Sequence, residues 1–279
     1  MKFATVSHQG ETRFGLVEGE VIHLADAGRP LKSVLAGDLA AVAQELRRRP
    51  AVSLSEITFL PVIPDVEQII CAGLNYQKHR DETRPEARKA YPEFPVLFTR
   101  FATSLTGHGA PIIKPKNSKV VDYEGELAVI IGKPGRHIDK ADAMAHVAGL
   151  ACFNDVSMRD WQMRGEQWGP GKNFPTSGPF GPYLVTLEET GPVDQLELRT
   201  ILDGEVLQQA GLDTLIFDIP TLISYCSGFC ALSPGDVIVT GTPGGVGFTR
   251  NPPVLLEPGK TVVVEVTRVG RLENPVVGE

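Results

Sequence analysis

Cysteine is scarce in this sequence. There are four in 279 residues, at Cys71, Cys152, Cys226 and Cys230. That is too few for the disulfide framework of a small secreted domain, and no CxxC pair offers the spacing of a zinc site. They read as reduced, buried thiols. No apolar run approaches the roughly 18 residues of a membrane-spanning helix. The opening MKFATVSHQG lacks the apolar stretch of a secretory signal. The expectation is a cytoplasmic protein with no membrane partner. Positive charge is not in excess either: 27 Lys and Arg stand against 34 Asp and Glu, a formal net charge of -7. A nucleic-acid partner calls for a basic face, so none is expected. A small anionic substrate remains compatible, because a site can be locally positive on an acidic protein. Internal repeats, heptads and low-complexity tracts are also missing.

Glycine (29) and proline (22) are plentiful, and many Val and Ile runs lie between them. This is the pattern of short strands joined by tight turns. Residues 1–64 read as a small α+β module: strands in KFATV, RFGLVE and EVIHLA, then a helix in SVLAGDLAAVAQELRRR with Ser33 as cap candidate. Residues 65–279 form the main body. Strand candidates there include EQIICAG, PVLFTRF, GELAVIIG, HVAGLACFNDVS, DVIVTGT and KTVVVEVTRVG. Helix candidates are KADAMAHV, a short piece near SMRDWQMR, and IPTLISYCSGFC capped by Asp218. Strands outnumber helices without βαβ alternation, so the fold class is α+β: a mixed, mainly antiparallel β-roll or sandwich with peripheral helices. The charged stretch NYQKHRDETRPEARKAYPEF, between Asn75 and Phe94, is a solvated loop or a lid.

One strand carries an anomaly. DYEGELAVIIG is apolar, yet Glu124 and Glu126 stand two apart, on the same side of a strand and about 6.5–7 Å from each other. Part-buried like charges this close repel unless something compensates them. A strand with its polar face in water would remove the difficulty. A divalent cation would too, and oxygen-only ligands favour Mg²⁺, Mn²⁺ or Ca²⁺ over zinc. The apolar run HVAGLACF ends in Asn154 and Asp155. Asp155 either caps the helix that follows or supplies a third carboxylate. Lys172 is the only cation in GPGKNFPTSGPFGP, a loop in which lysine is ordinarily exposed. A strand delivers Thr240 and Thr242 into GTPGGVG, whose glycines let backbone N–H groups approach an anion, without the lysine of a P-loop. His8, His23, His137 and His146 have no useful acidic neighbour and read as structural; His108, flanked by glycines, is a candidate for the mouth of a site.

Taken in order, CAGLNYQKHRDE, DYEGELAVIIG, FNDVSMRDWQ, GKNFPTSGPFGP and GDVIVTGTPGGVGF resemble the fumarylacetoacetate hydrolase family, over residues 64–279. The resemblance implies a β-roll core, a homodimer and one Mg²⁺ or Mn²⁺ per subunit. It implies Glu124, Glu126 and Asp155 as metal ligands, and a catalytic set of His79, Glu82 and Lys172, with the His–Glu pair on a lid. It further implies substrate contacts from Asn75, Tyr76, Arg159, Gln162 and Thr242. Founding members of the family are longer, with a different N-terminal domain, so fumarylacetoacetate itself is not the expected substrate.

The implied chemistry follows. A 2-oxo acid can chelate a metal through its carboxylate and 2-keto oxygen, and bond breaking beta to that carbonyl leaves an enolate. C–C hydrolysis of an acylpyruvate-like 2,4-dioxo acid is the first expectation, with Glu82 orienting His79 as base. Decarboxylation or isomerisation of a 2-oxo dicarboxylate such as oxaloacetate, or of an intermediate of aromatic catabolism, is the alternative. A non-catalytic binding protein on the same fold is the third reading; the presence of His79, Glu82 and Lys172 speaks against it.

Overall fold

The computed structural model describes residues 1–83 and 92–279. Part of the suggested lid, residues 84–91, therefore lies outside the described residues. Ten strands form the main path of the large sheet. Its order is Ala51–Ser53, Val21–Leu24, Glu11–Glu18, Lys2–His8, Gly178–Val185, Val147–Asn154, Gly125–Ile131, Val237–Val239, Ile69–Gly73 and Val96–Arg100. Most pairings are antiparallel; Val237–Val239 runs parallel to Ile69–Gly73. The strands of the first 64 residues join this sheet directly, since Lys2 pairs with Val185 and Phe3 with Leu184. A five-stranded sheet, Glu205–Gly211, Glu197–Leu202, Thr261–Val266, Gly270–Gly278 and Ile112–Lys114, packs across it. The expected α+β, mainly antiparallel architecture is what the chain forms.

Strand Gly125–Ile131 is buried along its whole length because both faces are covered. Leu127, Val129 and Ile131 join Leu198, Val264 and Leu272 from the five-stranded sheet in one core. Ala128 and Ile130 face the other way, into a core with Phe3, Phe153 and Val239. This is why the segment reads as a continuous apolar run rather than an alternating one. Each large apolar side chain withdrawn from water here is worth about 1.5–3 kcal/mol. The residue between the two glutamates is glycine for a steric reason: a Cβ on Gly125 would stand 2.0 Å from Thr200 Oγ1 of the crossing sheet.

Helices are few and peripheral. Asp38, not Ser33, caps Leu39–Arg47, accepting from the Ala40 and Ala41 amides. The Ser33 hydroxyl instead donates to Pro30 O within a 3₁₀ turn. Asp218 caps Ile219–Phe229 as expected, through the Thr221 amide. KADAMAHV forms only a 3₁₀ turn at Ala143–His146. Leu74 turns the chain from strand Ile69–Gly73 toward helix Gln77–Thr83 in the left-handed region, φ +56°. A branched side chain held there is a local strain of the kind that clusters at functional sites.

Candidate active site

A cavity of about 340 Å³ opens where the glutamates, the lid helix and the glycine-rich loops converge. Its polar wall is made by His79, Glu124, Glu126, Asp155, Arg159, Gln162, Lys172 and Thr242. Its other wall is apolar, with Leu74, Phe98, Met163, Trp168 and Phe248. Trp168 can lie flat here because Gly73 has no side chain; a Cβ would stand 2.2 Å from its ring.

The ligand atoms of Glu124, Glu126 and Asp155 all lie within 4.8 Å of one another, and all three residues are buried. Asp155 does not cap the short helix Arg159–Gln162, which has no side-chain cap. It pairs instead with Arg100, and its second oxygen lies 2.5 Å from Lys172 Nζ. Lys172 Nζ is also 2.5 Å from Glu124 Oε2 and only 1% exposed, so the solvent-exposed reading of this lysine falls. Burial alone would lower its pKa; the charges of Asp155 and Glu124 override that and raise it, so it stays an ammonium. Burial would push Glu124 up, but Arg159, Lys172 and His79 hold it well below the ordinary carboxylate range.

Glu126 differs from its neighbours. Among the described residues it makes no ion pair; its one hydrogen-bond donor is the Gly241 amide, 2.6 Å from Oε2. Burial first, then the Asp155 and Glu124 charges, push its pKa well above normal. A buried carboxylate without a cation costs several kcal/mol. Three buried carboxylates converging with one of them uncompensated, and oxygen donors only, fit a hard divalent ion of the Mg²⁺ or Mn²⁺ type.

The lid helix Gln77–Thr83 brings His79 over this centre. Its Nε2 stands 3.8 Å from Glu124 Oε1, and its Nδ1 is 2.9 Å from Glu82 Oε1. Glu82 sits behind the ring rather than in the cavity wall, and accepts from the Gly245 amide at 2.9 Å and the Val246 amide at 3.4 Å. The glycine-rich loop thus holds the lid, and Gly244 lets it approach: a Cβ there would meet Lys78 Cβ at 2.8 Å.

The expected substrate contacts divide into two groups. Arg159 and Gln162 reach the cavity, joined by a 2.9 Å bond from Arg159 Nη1 to Gln162 Oε1. That leaves the Gln162 NH₂ to meet a ligand. Thr242 also lines the cavity, but its hydroxyl donates to Gly125 O and accepts from Gln208 Nε2. Asn75 and Tyr76 do not reach it. Asn75 is spent on backbone, bonding Phe217 O, Thr240 O and the Phe217 amide. Tyr76 packs into the core, and its buried hydroxyl has no hydrogen-bond partner among the described residues. Both residues are absent from the cavity wall. His108 is likewise outside the cavity wall; it packs edge-on against Phe59 and accepts from the Glu273 amide.

Sequence reasoning missed Arg100, which ends an apolar run in PVLFTR and is buried against Asp155 and Ser177 Oγ. A lone arginine closing an apolar strand is the available signal. Gln208 and the apolar wall had none, since they come from distant segments.

This fold and this site define a class, and the chain belongs to the fumarylacetoacetate hydrolase family. Residues 68–277 match its description, fumarylacetoacetate (FAA) hydrolase C-terminal, and residues 1–61 match one described as Rv2993c-like, N-terminal. The human protein named oxaloacetate tautomerase FAHD2A, mitochondrial, is 43% identical over 230 residues, covering 82% of this chain and 72% of that one. Among solved structures, 5-carboxymethyl-2-hydroxymuconate delta-isomerase from Mycobacterium smegmatis is 31% identical, with a TM-score of 0.82 over the full length of both chains. Maleylpyruvate hydrolase from Sphingobium sp. SYK-6, in complex with manganese (II) ion and pyruvate, is 26% identical, with a TM-score of 0.81 over 100% of this chain and 99% of that one.

Proposed function

We propose that this chain is a divalent-metal-dependent enzyme acting at C3 of a 2-oxo acid, and that its reaction is enol–keto proton transfer on a 2-oxo dicarboxylate such as oxaloacetate. The observation that carries the reading is the convergence, in one cavity, of three buried carboxylates, one of them uncompensated, with the His79 imidazole and the Lys172 ammonium. The names of the human relative, an oxaloacetate tautomerase, and of the M. smegmatis structure, a delta-isomerase, support tautomerisation over the hydrolysis placed first from sequence.

A Mg²⁺ or Mn²⁺ ion held by Glu124, Glu126 and Asp155 would supply Lewis-acid polarisation of the 2-keto oxygen. Lys172, fixed as a cation, donates toward the same oxygen, where negative charge develops. His79 Nε2 faces the cavity and exchanges a proton with C3. Glu82 on Nδ1 fixes the ring and its tautomer. Arg159 and the Gln162 NH₂ line the side on which a substrate carboxylate is expected. The apolar wall of Phe98, Trp168 and Phe248 excludes water from the reacting carbon.

C–C hydrolysis of an acylpyruvate-like 2,4-dioxo acid is the second reading. The His79–Glu82 pair favours it, being equally suited to taking a proton from water. We also take the chain as a homodimer in the cytoplasm, the dimer resting on family likeness.

The test is a panel of oxaloacetate, acylpyruvates and aromatic-pathway dioxo acids with Mg²⁺ or Mn²⁺. Ultraviolet decay of the enol and deuterium exchange at C3 report tautomerisation; release of pyruvate reports cleavage. Faster enol decay without cleavage supports the first reading, cleavage the second. Neither, or full activity in chelator, removes both.

A further inference from the structure

Asp122 stands outside the cavity wall, yet it has the densest set of partners at this centre. It is fully buried, on the short strand Val121–Asp122 that pairs with Ser157–Met158. Its Oδ2 accepts from Arg159 Nε at 2.9 Å and lies 2.8 Å from Arg159 Nη2. The same Nη2 donates to Glu124 Oε1 at 2.6 Å, and Nη1 donates to Gln162 Oε1. The guanidinium is stacked 4.4 Å from the Phe248 ring centre. Its Oδ1 meanwhile accepts from the Gly247 amide at 2.8 Å and the Tyr123 amide at 3.0 Å. Oδ2 also accepts from the Phe248 amide at 3.3 Å, so one oxygen serves the guanidinium and the loop together, while the other is held by backbone amides alone; the Gly245 amide of the same loop holds Glu82.

We infer that Asp122 is a positioning residue: it fixes the Arg159 fork so that Glu124 and Gln162 are held in the orientation the metal centre and its ligand require. The inference rests on the proposed metal site. An arginine with a free fork would swing fully onto Glu124 and compete with a divalent ion for its oxygens. With Nε and Nη2 tied to Asp122, only one N–H reaches Glu124, at Oε1, and the residue keeps its anionic character. Partners one step behind metal ligands commonly govern affinity by about 10–100-fold. The fork matters as well as the charge, because the single nitrogen of a lysine cannot reproduce the fixed planar spacing of Nε, Nη1 and Nη2.

Two variants test this with Mn²⁺ alone, read by electron paramagnetic resonance of the free and bound ion and by calorimetry. Asp122→Asn keeps an oxygen for the Gly247 amide but turns an NH₂ toward Arg159, cutting the guanidinium contacts and the longer Phe248 amide contact on the same oxygen. Arg159→Lys keeps the charge and loses the fork. Both are expected to bind Mn²⁺ at least tenfold more weakly than the wild type, with a changed bound-ion spectrum, at little change in secondary structure. A folded variant of either kind that binds Mn²⁺ within about twofold of wild type, with the same spectrum, overturns the inference. If Asp122→Asn does not fold, Arg159→Lys decides alone by the same criterion. Failure of the wild type to bind Mn²⁺ is a different result, and overturns the metal-site reading itself.

Discussion

His79 Nε2 stands 3.8 Å from Glu124 Oε1, across the gap between the lid helix and the carboxylate centre. This places a proton-transferring group and a metal-ligand candidate against the same small volume. His79→Ala should lower turnover by roughly 10²–10⁴-fold, as loss of a general acid or base does, while Mn²⁺ affinity stays near wild type. Glu82→Gln should fall in the same direction by less, since the ring keeps its place but loses the charge behind it. Loss of Mn²⁺ binding in His79→Ala would show that the imidazole builds the centre rather than acting on substrate.

Among the described residues Glu126 is the one of the three carboxylates without an ion pair. Glu126→Ala should abolish Mg²⁺ and Mn²⁺ binding yet leave a folded protein, because it removes the repulsion from Asp155 and Glu124. Calorimetric titration and circular dichroism together check this. Retained metal binding would remove Glu126 from the ligand set.

The same residue gives the metal-free protein a pH dependence. Its folded pKa is raised above its ordinary 4.5. It therefore contributes stability below that value, and the contribution is lost as pH rises through the folded pKa. Glu124 runs the other way: its pKa is lowered, so it stabilises above its ordinary value and the effect fades as pH falls. A divalent ion cancels the cost at Glu126, so the gain in Tm on adding Mn²⁺ should grow as pH rises through the raised folded pKa, with proton release on binding. A gain independent of pH would contradict the assignment.

Gly247 is the tightest point of the loop that meets Asp122. An added Cβ would stand 1.9 Å from Val254 O and 2.6 Å from Asp122 Oδ1. Gly247→Ala should destabilise the fold by about 1–3 kcal/mol, the usual cost of overpacking. Urea denaturation measures it; an unchanged midpoint would mean the loop relaxes freely.

Strand Val96–Arg100, the edge of the large sheet among the described residues, lies close to exposed Phe94, Phe101, Tyr225 and Phe229. Edges of this kind are normally covered or blunted. Light scattering should give about twice the 30.1 kDa of one chain. A monomer at micromolar concentration would contradict the dimer.

Local pattern determined a good deal of this protein. The 2.0 period of a strand put Glu124 and Glu126 on one side, and the turn residues marked the loops that bring Lys172 and Thr242. Asp218 was legible as a cap because capping is decided within four residues. Asp155 was ambiguous for the same reason, since a strand-ending aspartate has the same local signature as a cap and as a ligand. Only the tertiary structure excluded the cap, by setting Arg100 and Lys172 against the carboxylate from segments 55 and 17 residues away. Asn75 and Tyr76 adjoin His79 in sequence, but both are absent from the cavity wall. Asp122 sat inside the very motif that drew attention to the glutamates. Its partners, Arg159 and Gly247, are 37 and 125 residues away. Side-chain direction on one strand is a property of the backbone there, whereas which charge a buried carboxylate meets depends on how distant strands cross.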